Sequence, residues 1–265
     1  MWQRILSEVR FVVHLTRLSM ASNMEYRVSF LSQVVGMMIN NGIYFVFWLL
    51  FFDRFGEIRG YGMDEVFMLF AIITFAFGLA YTFAGNARSV AELIAQGRLD
   101  YYLALPRPVL LHLIFSRMGQ STLGDLTFGV LAFLFTGRLD LLSVSLFLVA
   151  SLLAAVVFVS FSVTVGSLAF FIGNARLLSD RILQTMLTFG LYPFGLFQGG
   201  VRLILLTLIP AAFVGAVPVQ VVQELDLSAL AWLAGAALIN VLVMLVVFRQ
   251  GLRRYESGSA LNINI

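Results

Sequence analysis

Arg117, Ser121 and Asp125 stand at i, i+4 and i+8 inside the apolar run 109–136, a spacing that lines them along one side of a helix. Charge in hydrocarbon is costly, and ionisable side chains that persist there face protein or water. Two readings follow. The three residues form a polar patch on a pathway, with Asp125 as a proton or ion site. Alternatively, Arg117 reaches back to the near surface while Asp125 pairs with a neighbouring helix or protomer; the closeness of Arg117 to one end of the run favours this second reading. Asn40 and Asn41, in the middle of the apolar run 30–52, can line the same pathway, although intramembrane amides more often hydrogen-bond between helices. Ser160, Ser162, Thr164 and Ser167 read as packing contacts rather than as a substrate site.

Several chemistries are excluded. With no cysteine, disulfides, thiolate metal sites and cysteine nucleophiles are ruled out. Lysine is absent too, and every basic residue is Arg. A phosphate-binding loop of the GxxxxGK type needs that lysine, and a Schiff-base enzyme needs the amine, so these residues cannot hydrolyse ATP by a Walker-type mechanism on their own. Gly166-Ser167 lacks the full GxSG of an intramembrane serine protease, and neither His14 nor His112 lies in a later helix to serve as base. The net charge of +3 reflects arginines gathered at one membrane face. No Arg cluster interleaves with aromatics as a nucleic-acid surface would require, so nucleic acid is not expected as a partner.

The elements that must position these residues are apolar helices. The 265 residues are 60% hydrophobic and 12% charged, and mean hydropathy is +0.95; a soluble domain carries about 25% charged residues. This is the composition of an integral membrane protein. Runs long enough for a core needing about 20 residues occur at 30–52, 66–84, 109–136, 142–172 and 227–248, with a shorter one at 182–197 broken by Gly190, Pro193 and Gly195. Ahead of them, 1–28 is not a signal peptide, because His14 and Arg17 break its apolar run. Gln3, Ser7, Arg10, His14 and Arg17 form a polar stripe opposite Trp2, Ile5, Leu6, Val9, Val13 and Leu18, as in a helix lying in the headgroups.

The arginines order these runs across the bilayer. One set of segments holds Arg4, Arg10, Arg17 and Arg27, then Arg88, Arg98 and Arg107, then Arg176 and Arg181, then Arg249, Arg253 and Arg254. The alternate loops hold Asp53, Arg54, Glu57, Arg59, Asp64 and Glu65, then Arg138 and Asp140, then Arg202, Glu224 and Asp226. The first set is the basic one and is expected to be cytoplasmic. An all-α fold of six transmembrane helices with both termini inside follows. A seventh span at 201–217 would put the last three arginines outside, so 199–220, broken by Gly199, Gly200 and Pro210, is expected as a non-spanning external element. The domain division is an interfacial helix at 1–28 and one transmembrane domain at 29–265.

One polar interruption stands out, 87–108. Ser89 with Glu92 reads as a capping box, Val90, Leu93, Ile94 and Gly97 fall on one face, and Arg88, Glu92 and Gln96 on the other. Gly97 suits the position just past a helix, and Pro106 and Pro108 close the segment. The bland reading is a connecting loop. The alternative is a short amphipathic helix at the cytoplasmic surface that passes a push from a soluble partner into the bundle, with the handover at 97–100 toward the third span. Asp180 and Arg181 either touch the same partner or simply cap a helix.

Gly97-Arg98-Leu99-Asp100 followed by Leu105-Pro106-Arg107-Pro108, then Tyr192-Pro193, Arg202-Leu203-Ile204, Ile209-Pro210-Ala211-Ala212-Phe213, Pro218, and Gly251-Leu252-Arg253-Arg254-Tyr255-Glu256-Ser257 together resemble the permease subunits of bacterial type-2 ATP-binding-cassette exporters, in the six-span branch. The resemblance covers almost the whole chain. It implies a non-catalytic subunit of the inner (plasma) membrane, paired with a second permease in a homo- or heterodimer and driven by a cytosolic ATPase dimer, through which alone ATP and Mg2+ enter. The ATPase contacts would be Arg88, Ser89, Glu92, Gln96, Gly97, Arg98, Asp100, Asp180 and Arg181, with a coupling helix at 87–108 after span two. The external re-entrant element before span six would carry Gly199, Gly200, Arg202, Pro210 and Pro218. A different class remains open, a self-sufficient ion-coupled transporter or channel using Asp125. A membrane-embedded enzyme lacks a nucleophile–base pair.

Overall fold

The structure, a computed structural model, describes residues 2–57 and 62–255, and side chains from residue 6 onward within that range. The side chains of Trp2, Gln3, Arg4 and Ile5, and the residues Arg59, Glu256 and Ser257 used above, lie outside the described residues. The described secondary structure is helical throughout. In chain order it begins with α1 (Trp2–Met24), α2 (Arg27–Phe55) and α3 (Met63–Phe83). The short helices α4 (Val90–Ala95), α5 (Leu99–Leu103) and α6 (Val109–Phe115) follow. Next come α7 (Thr122–Phe135), α8 (Leu141–Gly166), α9 (Ala169–Ile172) and α10 (Arg176–Gly190). The chain continues with α11 (Gly199–Thr207), α12 (Ala216–Gln223) and α13 (Leu227–Leu252).

α2, α3, α13 and the α8–α9 segment are each long and apolar enough to cross a membrane. At 1.5 Å per residue even α3, with 21 residues, reaches the roughly 30 Å of a hydrocarbon core. α3 is the central post, apolar all round and buried along most of its length. α7 packs on it most extensively, because glycines let the backbones touch: a Cβ on Gly78 would lie 2.4 Å from the Leu126 nitrogen, and one on Gly129 2.5 Å from the Phe75 nitrogen. Without water to drive helices together, such close van der Waals approach is the main adhesive. Phe133 and Phe147 stack at 4.0 Å between α7 and α8, and α13 lies along α8. α2 rests on α7 and leaves most of its surface open.

The segments that the charge pattern grouped are brought together in space. At one end Gln223 donates to the Asp64 carbonyl (3.2 Å) and Arg138 to the Gln223 carbonyl (3.4 Å), and Asp140 and Asp226 cap α8 and α13. At the other end Arg107 pairs with Glu8, Arg176 with Glu92, and Arg254 lies over Phe171.

Three expectations are corrected. The run 109–136 is not one helix: α6 stops at Phe115 and α7 starts at Thr122. In the gap the Gly119 N–H donates to the Tyr81 carbonyl (2.9 Å) and the Met118 N–H to Ser19 Oγ (2.8 Å), so α3 and α1 take the donors that a continuous ladder would use. The run 182–197 is not a helix of that extent either. α10 starts at Arg176 and ends at Gly190, before Pro193, followed by a turn and a single 3-10 turn at Phe194–Leu196. Lastly, α1 does not divide into only two faces. Ser7, Arg10, His14 and Arg17 are exposed as expected, and Leu6, Val9, Val13 and Leu18 are also uncovered. A third face with Glu8, Phe11, Ser19 and Asn23 docks on residues 107–120. The 199–220 element is two helices, α11 and α12, bent by 64° around Pro210 and the 3-10 turn Ala211–Phe213. Pro218 sits in the first turn of α12, where its missing N–H costs nothing.

Candidate coupling segment and polar cavity

Residues 85–103 fold as a 3-10 turn (Gly85–Ser89), α4, a glycine cap and α5. The expected capping box is absent, since Ser89 makes no side-chain cap bond: the preceding 3-10 turn runs straight into α4 and leaves no N-cap geometry to fill. The C-terminal expectation holds. Gly97 has φ +67°, its N–H donates to the Ile94 carbonyl (3.1 Å), and the Arg98 N–H donates to the Leu93 carbonyl (3.0 Å), a Schellman closure that a Cβ would strain.

Val90, Ala91, Leu93 and Ile94 are buried, whereas Ala95, Gln96 and Arg98 are exposed. The buried face sits on α8, α9 and α10. Val90 abuts Gly166 so closely that a Cβ there would come within 2.8 Å of the Val90 Cβ. Burying each of Val90, Leu93 and Ile94 is worth about 1.5–3 kcal/mol. The Arg176–Glu92 pair (3.1 Å, 59% and 30% exposed) is worth at most about 1 kcal/mol. Packing, not the ion pair, fixes α4. Its mechanical neighbours are therefore α8, α9 and α10. The exit at 97–100 leads instead through α5 to α6, where Asn86 donates to Ser116 Oγ (2.6 Å) and Tyr102 Oη meets Ser116 Oγ (3.0 Å). Asp100 faces Tyr255, whose hydroxyl is pushed up to about 12 by burial and further by hydrogen bonding and charge from Asp100.

A polar cavity of about 450 Å³ opens beside this segment. It gathers Arg88, Ser89, Glu92 and Asp180 of the expected ATPase contacts with Arg117 and Ser121 of the expected pathway. Arg88 is held by aromatic faces, 5.6 Å from the Phe77 ring centre and 5.5 Å from that of Tyr81. Arg117 lies in the gap before α7 and so shares no helical face with Asp125, whereas Ser121 directly precedes that helix, one turn ahead of Asp125. Asp125 is buried in α7 and accepts from Asn41 Nδ2 at 2.8 Å, while Asn40 points outward from α2. Arg98 and Arg181 are exposed. At the opposite end Arg202, over the Phe194 ring at 5.2 Å, lines a cavity of about 720 Å³ with Glu65, Arg138 and Glu224. Gly199 takes φ +57° and Gly200 is open, while Pro210 and Pro218 are buried. No group of three or more His, Asp or Glu side chains able to hold a metal occurs among the described residues.

Two links escaped the sequence patterns. Arg107, seen there only as a basic residue between prolines, bonds Glu8 (2.9 Å) and Ser7 (3.1 Å) and stacks over Phe11 (4.9 Å). Glu8, the one acid among Arg4, Arg10 and Arg17, was the available hint. Asn86, Tyr102 and Ser116 form the other link, and nothing in their spacing signals it.

A sequence model of the ABC-2 family transporter protein matches residues 38–259. The chain belongs to the ABC-2 transporter family. No curated protein and no solved structure matches it. As an ABC-2 member it is a multi-pass helical membrane protein and a permease component of an ABC transporter. ABC-2 proteins as a family work with cytosolic ABC ATPases.

Proposed function

We propose that this ABC-2 permease is the membrane subunit of an exporter, moving its substrate along a path formed with a second permease. ATP hydrolysis in separate cytosolic subunits drives it. The observation that carries this reading is the α4 segment, whose C-terminal exit presents Gln96 and Arg98 outward while the helix itself is locked onto α8, α9 and α10. A push on α4 must move those helices with it. Gln96, Gly97 and Arg98 form the core of the ATPase contact, with Asp180 and Arg181 on the rim; Arg88, Ser89 and Glu92 face the adjoining cavity, and Asp100 supports the exit from behind. ATP and Mg2+ bind only in the partner.

The topology in this reading has six spans: α2, α3, the α6–α7 pair, α8–α9, α10 with the 3-10 turn after it, and α13. The bent α11–α12 pair is the external element, closing over the larger cavity. Both termini lie on the cytoplasmic side of the inner membrane, and α1 lies in the headgroups, with its uncovered apolar face in lipid.

The test is co-purification of the full chain from native membranes, followed by assay of bound ATPase and transport. A nucleotide-hydrolysing partner should be recovered. Arg98→Glu, at an exposed position, should cut transport at least about tenfold with unchanged thermal stability. A chain that transports with no ATPase attached, or that tolerates Arg98→Glu, overturns the reading. Ion coupling through Asp125 is the one rival with a structural hint, since Asp125 Oδ2 is buried without a partner. Transport by the isolated chain under an ion gradient would favour that rival.

A further inference from the structure

The cavity beside α4 has a composition that its proposed neighbours do not explain. Arg88, Arg117 and Arg176 converge on it against Glu92 and Asp180. Glu92 is taken up by Arg176, so only Asp180 remains to offset two guanidiniums. Among the described residues neither Arg88 nor Arg117 forms an ion pair. Arg88 is steadied instead by the rings of Phe77 and Tyr81, which fix its position and leave its N–H groups unspent. A guanidinium held this way is pre-ordered for a planar or tetrahedral oxyanion, which it meets with two parallel N–H bonds. The amide of Gln33 and the hydroxyls of Ser89 and Ser121 border the same space.

The cavity does not end in solvent alone. Gln33 belongs to α2, and Gly36, Asn40, Tyr44 and Phe47 follow it at i+3, i+7, i+11 and i+14, one continuous and exposed stripe of a spanning helix. No atom stands within 4 Å of where a Gly36 Cβ would be. An oxyanion site thus opens directly onto an uncovered membrane-depth face, which is the outline of an amphiphile, head in the cavity and apolar part along α2.

We propose that this cavity binds the oxyanion head group, phosphoryl or of like charge, of an amphiphilic molecule, with Arg88 and Arg117 as the two groups that grip it. The proposal rests on the permease reading and names the class of substrate that the path accepts at its inner end.

The test uses the full chain in neutral detergent. Thermal unfolding is followed while short-chain phosphatidic acid, short-chain phosphatidylcholine or inorganic pyrophosphate is titrated in. Phosphatidic acid should raise the midpoint saturably, and phosphatidylcholine should not. Losing a charge-assisted hydrogen bond costs about tenfold in affinity, so Arg88→Gln with Arg117→Gln should weaken binding about a hundredfold. Arg138→Gln, in the other cavity, should leave binding as it was. Ser121→Asp is a second variant that spares the fold, because Ser121 immediately precedes α7, where a carboxylate is favoured by the helix dipole, and it should abolish the shift by repulsion. A response to pyrophosphate as well, lost in the same variants, supports the oxyanion site with a soluble source; a response to phosphatidic acid alone assigns it to a membrane amphiphile. No saturable shift with either anion, an equal shift with phosphatidylcholine, or full binding by both variants overturns the proposal. None of these measurements involves an ATPase, so their failure leaves the permease reading standing, and failed co-purification leaves the binding result standing.

Discussion

At the scale of single residues, Asp125 decides between the two transport classes. Its carboxylate is buried, bonded through Oδ1 to Asn41 of α2, and separated from Arg117 by the gap before α7. Interhelical bonds of this kind are worth about 0.6 kcal/mol on average. That suits a lock between α2 and α7. Asp125→Asn keeps the size and an acceptor oxygen and should retain transport within about twofold; a proton- or ion-coupling carboxylate would lose it outright, so the transport rate of this variant separates the two. Gly129 makes the opposite demand. Its missing Cβ is what lets α7 lie against Phe75, so Gly129→Val should destabilise the fold by about 1–3 kcal/mol, read as a lowered unfolding midpoint with no rescue by ligand.

At the scale of elements, α1 is joined to the 87–108 segment rather than lying beside it. The Arg107–Glu8 pair is partly exposed, 35% and 26%, which limits it to about 1 kcal/mol or less, and the contact of Arg107 with Phe11 adds to it. Arg107→Ala should therefore barely move global stability while loosening α1. Hydrogen exchange of residues 6–24 should rise several-fold and that of α3 should not change. If α1 remains protected in the variant, the contact is incidental. The same logic explains why 109–136 looks continuous in sequence. Its interior contains no proline, and the gap exists because α1 and α3 offer better partners for Met118 and Gly119 than the helix itself does.

At the scale of the molecule, the α8 and α13 N-termini lie at the end where Asp64, Arg138 and Gln223 meet, each closed by an aspartate. Hydrogen bonds from Ser143 hold Asp140 below the usual carboxylate range, and those from Ser228, hydroxyl and backbone, do the same for Asp226. Since the folded values lie below the unfolded value of about 3.9, the stabilisation is complete above that pH and drains away as pH falls through the folded values. With both caps fully ionised around neutrality, their contribution to the unfolding midpoint should not change with pH there, and the midpoint should fall below about pH 4. Asp226→Asn still caps and should shrink the acid-dependent loss, measured by thermal melts across that range.

Membership of the membrane class and the rough positions of four spans were legible from composition and run length, because hydrocarbon solvates one kind of side chain and each helix satisfies its own backbone. The grouping of segments at two ends was legible as well, because arginine is partitioned by the membrane and not by packing. Gly97 was readable because a left-handed cap has one favoured residue. Contacts between distant residues were not readable. The break at 116–121, the third face of α1, the seat of Val90 on Gly166 and the gathering of Arg88, Arg117 and Arg176 around one cavity each depend on donors and surfaces supplied by segments remote along the chain. Periodicity reports which face of a helix is apolar. Only the packed bundle decides which neighbour that face meets, and whether a helix keeps its own hydrogen bonds when a neighbour offers others.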